Sequence, residues 1–67
     1  MSTVEIKTMS KLTKAGKYFS RSMNKSFTVI ENDEVKREIR IGVDGKAITR
    51  TYALFNKQYF ANGIIEE

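Results

Sequence analysis

Ser22-Met23-Asn24-Lys25-Ser26-Phe27-Thr28-Val29-Ile30-Glu31 is the stretch on which the fold of this 67-residue chain turns. Taken as a helix, Met23, Phe27 and Ile30 recur at i, i+4 and i+7 with Ser26 on the same side. Ser22 then supplies the N-cap, its hydroxyl accepting from an orphan backbone N–H, and Asn24, Lys25 and Thr28 face away. Taken as a strand, Phe27-Thr28-Val29-Ile30 is a β-rich run, and Thr and Val are mediocre helix formers. Residues 26–31 would then pair with Val35 to Ile41 across an Asn32-Asp33-Glu34 turn, setting Phe27 and Val29 beside Ile39 and Arg37. Local propensity tilts towards the strand; periodicity leaves both readings open.

On the N-terminal side, Thr3 to Lys7 alternates apolar and polar residues, which suits a short strand or an ordered arm within residues 1–10. From Leu12 the period changes. Leu12, Ala15, Gly16 and Phe19 fall at i, i+3, i+4 and i+7, one face of a helix that Thr13 can cap, with Lys14 and Lys17 pointing away. Ser20-Arg21-Ser22 is a polar turn. Two helices joined by so short a turn have the outline of a helix-turn-helix.

On the C-terminal side, Val35, Ile39 and Ile41 alternate with Lys36, Glu38 and Arg40, a half-buried strand. Asp44-Gly45 is the hairpin signal, because a type I′ turn needs φ > 0 at both central positions. It sets Ile41 opposite Ile48, with Lys36, Glu38, Arg40 and Thr49 outward. A helix follows, N-capped by Thr51, with Leu54, Phe55, Gln58, Tyr59 and Ala61 along its stripe and Asn62-Gly63 as its stop. Residues 64–67 are expected to fray. With no repeat, no linker and no Pro, residues 1–67 read as one domain.

Composition narrows the function classes. The chain has no Cys and no His. It therefore lacks disulfides, thiolate metal sites, Cys nucleophiles and the commonest general base and metal ligand. The carboxylates Glu31, Asp33 and Glu34 gather in one loop without a Gly-rich phosphate loop, so no enzyme activity, cofactor or metal is expected. No apolar run approaches the ~20 residues of a membrane span, and a cytoplasmic location is expected. Twelve Lys and Arg against eight Asp and Glu leave a net charge of +4. Lys11, Lys14, Lys17, Arg21 and Lys25 follow one another without an intervening acid, a local patch suited to neutralising phosphates.

Leu12-Thr13 with Ala15, Lys17, Tyr18 and Phe19, then Ser22 with Phe27, Val29 and Ile30, then Val35 to Gly42, and finally Ile48-Thr49-Arg50 with Leu54-Phe55 and Tyr59-Phe60 keep an ungapped spacing over residues 12 to 60. This pattern resembles the excisionase and AlpA/Cox-like group of small phage and mobile-element DNA-binding proteins, related to MerR-type winged helices. The resemblance implies an α+β winged helix: a helix-turn-helix over the front half, with residues 23–31 as its second helix, then a β-hairpin wing and a C-terminal helix. Its function would be sequence-specific binding and bending of double-stranded DNA near an attachment site, biasing DNA recombination towards excision, with transcription regulation as a second role. An integrase and further copies of the chain on DNA are the implied partners.

In that geometry the second helix enters the major groove. Asn24 would read adenine, Lys25 guanine or a phosphate, and Thr28 a thymine methyl or a phosphate. Arg21 and Ser22 would hold a phosphate at the helix N-terminus, Lys14 and Lys17 would follow the backbone, and Arg40 and Lys46 would carry the wing contact. Two other classes stand beside this one. A phage-type protein-binding inhibitor or antitoxin would use tyrosines 18, 52 and 59 with Phe60 as a contact patch, if these are not simply core. A β-rich RNA or single-strand binder would follow from the strand reading of residues 26–31.

Overall fold

Lys25–Asp33 is a strand, nine residues long. The computed structural model describes residues 4–67, so Met1, Ser2 and Thr3, where the expected N-terminal strand begins, lie outside the described residues. The strands are β1 (Glu5–Ile6), β2 (Lys17–Ser20), β3 (Lys25–Asp33), β4 (Glu38–Val43), β5 (Lys46–Thr51) and β6 (Ile64–Glu66), with one helix, α1 (Tyr52–Tyr59), and a 3-10 turn over Met9–Lys11. They form a single antiparallel sheet in the order β1-β6-β2-β3-β4-β5. Strands β2 to β5 run as a meander. Helix α1 then returns the chain to the other side of β2, where β6 inserts between β1 and β2.

The winged-helix expectation is thereby overturned: an antiparallel six-stranded sheet with one short helix replaces the helix-turn-helix. Residues 23–31 are not a helix, because partners on both sides hold β3 as a strand, Phe27 opposite Tyr18 and Val29 opposite Ile41. The helical stripe of Met23, Phe27 and Ile30 does not exist; Met23 is exposed in the β2–β3 turn and Ile30 is exposed on the sheet. The helix over Leu12 to Phe19 fails too. Ala15 has φ 68, outside the right-handed region, and the chain reverses over Thr13 to Gly16 before entering β2. A Cβ on Gly16 would lie 2.5 Å from the Tyr18 hydroxyl oxygen, so the residue that looked like a helix face instead admits the Tyr18 ring.

The strand reading of residues 26–31 held its element but not its register. The β3–β4 turn spans residues 34–37 rather than 32–34, and Val35 is 94% exposed in it. A bulge between Val29 and Glu31 makes Ile30 the extra residue. Because side chains alternate with period two, strict pairing would have pointed Glu31 into the core. The bulge moves Glu31 opposite Arg40 and brings Asn32 inward opposite Ile39.

The Asp44-Gly45 hairpin forms as expected, and so does a helix capped by Thr51, but α1 ends at Tyr59, short of Ala61, and of the expected stripe only Phe55 and Tyr59 are buried. Asp44 and Gly45 have φ 53 and 75, Ile41 pairs with Ile48, and the Thr51 hydroxyl accepts from the Leu54 amide at 3.3 Å. The hairpin is part of the main sheet, however, not a wing beside a helix pair. The expected fraying tail is instead β6, with Ile64 fully buried between its neighbours Ile6 and Ser20.

The core lies on one face of the sheet. Ile6, Tyr18, Phe27, Val29, Ile39, Ile41, Val43 and Ile64 point there, closed by Phe55 and Tyr59 of α1 and by Leu12. Phe55 stacks on Tyr59 at 4.6 Å between centroids, and Phe27 meets each edge-on at 5.7 Å. Tyr18 and Tyr59 are thus core residues and Phe60 packs partly against the core, so the aromatic contact patch considered from sequence does not form. No helix among the described residues is long and apolar enough to cross a membrane.

Candidate nucleic-acid interface

The sheet is covered on one face only. Alternation along β2 sends Tyr18 and Ser20 to the core and leaves Lys17 and Phe19 on the opposite, open face. The register extends both residues into rows. Lys17 lies beside Thr28, Thr28 beside Gly42, and Gly42 beside Ala47. Phe19 lies between Ser26 and Ile65. Arg40 lies between Glu31 and Thr49. The middle of the face is therefore a row of small residues, Ser26, Thr28, Gly42 and Ala47, flanked at Gly42 by the exposed Ile30, with the half-buried Phe19 and Ile65 rising on one side and Arg40 on another.

Only three of the nine residues expected to contact DNA share this face: Lys17, Thr28 and Arg40. The others are dispersed. Arg21, Ser22 and Asn24 form the β2–β3 turn, where Asn24 has φ 55 and serves the chain reversal. The Ser22 hydroxyl accepts from the Asn62 amide at 2.6 Å and the Arg21 amide donates to Gly63 O at 3.1 Å, which stitches this turn to the loop after α1. No helix begins at Ser22, so the phosphate site expected at a helix N-terminus is absent. Lys14 sits in the Thr13–Gly16 reversal at the other end of β2. Lys46 follows the hairpin tip on the helix-covered side, opposite Val43.

Lys25, expected to reach a base or phosphate, is engaged elsewhere. Its ammonium donates to Asp44 at 2.7 Å, joining the β2–β3 and β4–β5 turns, and this bond with the attendant charge attraction raises its pKa above 10.5. The acid at the hairpin tip is thus paired with a neighbouring cation. Arg21 approaches Glu5 at 3.9 Å. The other Lys and Arg side chains form no ion pair among the described residues.

An acidic margin bounds the open face near the β3–β4 turn. Glu31, Asp33 and Glu38 line a shallow depression with Lys36, Arg40 and Thr49. Asp33 is occupied structurally, accepting from the Val35 and Lys36 amides at 3.1 and 3.0 Å. Among the described residues no group of three or more acidic side chains is placed to hold a metal ion.

Sequence reasoning missed Phe19 and Ile65. The signal was present in Lys17-Tyr18-Phe19-Ser20, which alternates outward and inward, but the helical spacing from Leu12 to Phe19 masked it. No protein-family model, no curated protein and no solved structure matches this chain.

Proposed function

We propose that the chain is a binding module for single-stranded nucleic acid, held on the open face of its sheet. The observation that carries this reading is the placement of the half-buried Phe19 on the uncovered face, two residues along β2 from Lys17, with Thr28 and Arg40 further across the same face. A partly exposed aromatic on a sheet offers a stacking platform to any base, and cations on the same face follow the phosphates. Duplex reading is less well supported, because the one helix carries a lone cation, Lys57, with Leu54 exposed on its surface. The acidic margin at Glu31, Asp33 and Glu38 limits the track to the part of the face away from the β3–β4 turn.

Fluorescence anisotropy with labelled oligo-dT, oligo-U and a matched duplex tests the reading. Both single strands should bind more tightly than the duplex, and the preference between them identifies the natural class. Phe19→Ala should cost about 1–3 kcal/mol of binding. Lys17→Ala should reduce the log–log salt slope by about 0.7, whereas Lys57→Ala should leave both unchanged. Tighter binding of the duplex, or an unaffected Phe19→Ala variant, would refute it.

A further inference from the structure

We infer that the free edge of β5 is a strand-pairing site for an extended acidic segment of a partner protein. β1, at the other edge of the sheet, is two residues long, whereas β5 presents six. The tight Asp44-Gly45 turn makes Val43 and Lys46 the closing hydrogen-bonded pair, so Ile48 and Arg50 also bond to β4. The amides and carbonyls of Ala47 and Thr49 and the amide of Thr51 therefore point outward. The Arg50 guanidinium donates to Thr49 O at 3.0 Å, which places that carbonyl on the unpaired side and shows it accepting from a substitute donor. A row of this kind is a template for an added strand.

The side chains define the occupant. On the helix-covered side β5 presents Lys46, Ile48 and Arg50; on the open side it presents Ala47, Thr49 and Thr51. Lys46 and Arg50 form no ion pair among the described residues, and Asp44 at the hairpin tip is engaged by Lys25. An incoming strand that matches this face alternates acid, apolar, acid. The pattern reads the same in both directions, so it fits parallel or antiparallel pairing. A second copy matches this face less well: β5 contains no acid to meet Lys46 or Arg50, and antiparallel pairing about Ile48 would set Lys46 opposite the partner's Arg50, like charges directly opposite being destabilising.

A capped TETVTET peptide, followed by amide NMR, is the direct test. Added peptide should shift and protect from exchange the amides of Ala47, Thr49 and Thr51, leaving β2 and β6 unchanged. Thr49→Pro should abolish binding while preserving the fold, since the lost N–H points away from β4. The double variant Lys46→Glu/Arg50→Glu provides a second route, lowering affinity at least about tenfold. Phe19→Ala should bind the peptide as the wild type does, which separates this site from the nucleic-acid face. No binding, equal binding of TKTVTKT, or a dimer in sedimentation that Thr49→Pro dissolves would overturn the inference.

Discussion

Asn32 is the residue on which the loop before β2 depends. The bulge at Ile30 turns it inward, where its side-chain amide donates to Met9 O and Leu12 O, both at 2.9 Å, while its oxygen accepts from the Tyr52 hydroxyl. Asn32→Asp preserves size but cannot donate, leaving two carbonyls unserved; denaturant unfolding should show a loss of about 1–3 kcal/mol. Tyr52 makes the same cluster pH-sensitive. Burial raises its phenol above 10.0, with Glu34 and Asp33 adding to the shift and Arg37 opposing it. A raised folded pKa stabilises fully below pH 10 and is lost as pH climbs through the folded value, and the Lys25–Asp44 bond acts with the same sign above 10.5. Thermal melts should therefore fall steeply above pH 10, and less steeply for Tyr52→Phe. Gly16 and Ala15 give opposite expectations next to each other. Gly16→Ala forces a methyl against the Tyr18 ring and should cost about 1–3 kcal/mol. Ala15→Gly relieves φ 68, about 1–2 kcal/mol, against about 0.5–1 kcal/mol of added unfolded-chain entropy, a net gain of about 0.5–1 kcal/mol.

Legibility differed from element to element for local reasons. The β4–β5 hairpin and α1 were readable because each is specified by a few adjacent residues: Asp44-Gly45 for the turn, Thr51 for the cap, Gly63 with φ 95 for the exit. β3 was readable as a strand from Thr28, Val29 and Ile30, but Met23, Phe27 and Ile30 also fit a helical stripe, and the ungapped resemblance favoured the helix. Its register was not readable, since a bulge is visible only once β4 is in place. β6 was hidden because Ile64-Ile65-Glu66 has meaning only between β1 and β2, and both contacts are distant in sequence. Of the candidate site, Lys17, Thr28 and Arg40 were named from sequence, but as parts of three different elements of another fold. Their common face is a property of sheet register, which no local pattern encodes.

At the scale of the whole molecule, that dependence on distant pairing sets where the stability resides. One layer of sheet carries one short helix, so a single face must supply nearly all the apolar burial. A domain of this size holds about 3–5 kcal/mol of net stability, and the loss of one well-placed core side chain consumes most of it. Ile64 is the critical case. It is fully buried, sits on the strand that bridges β1 to β2, and lies beside Ser20, whose hydroxyl donates to Tyr59 O at 2.8 Å and ties α1 to the sheet. Ile64→Ala should cost about 2–5 kcal/mol, enough to abolish a cooperative melt, whereas Val35→Ala in the β3–β4 turn should leave the midpoint unchanged. Calorimetry on the two variants decides whether β6 is integral to the fold. A cooperative transition surviving in Ile64→Ala near the wild-type temperature would mean that the β2-β3-β4-β5 meander and α1 stand without it.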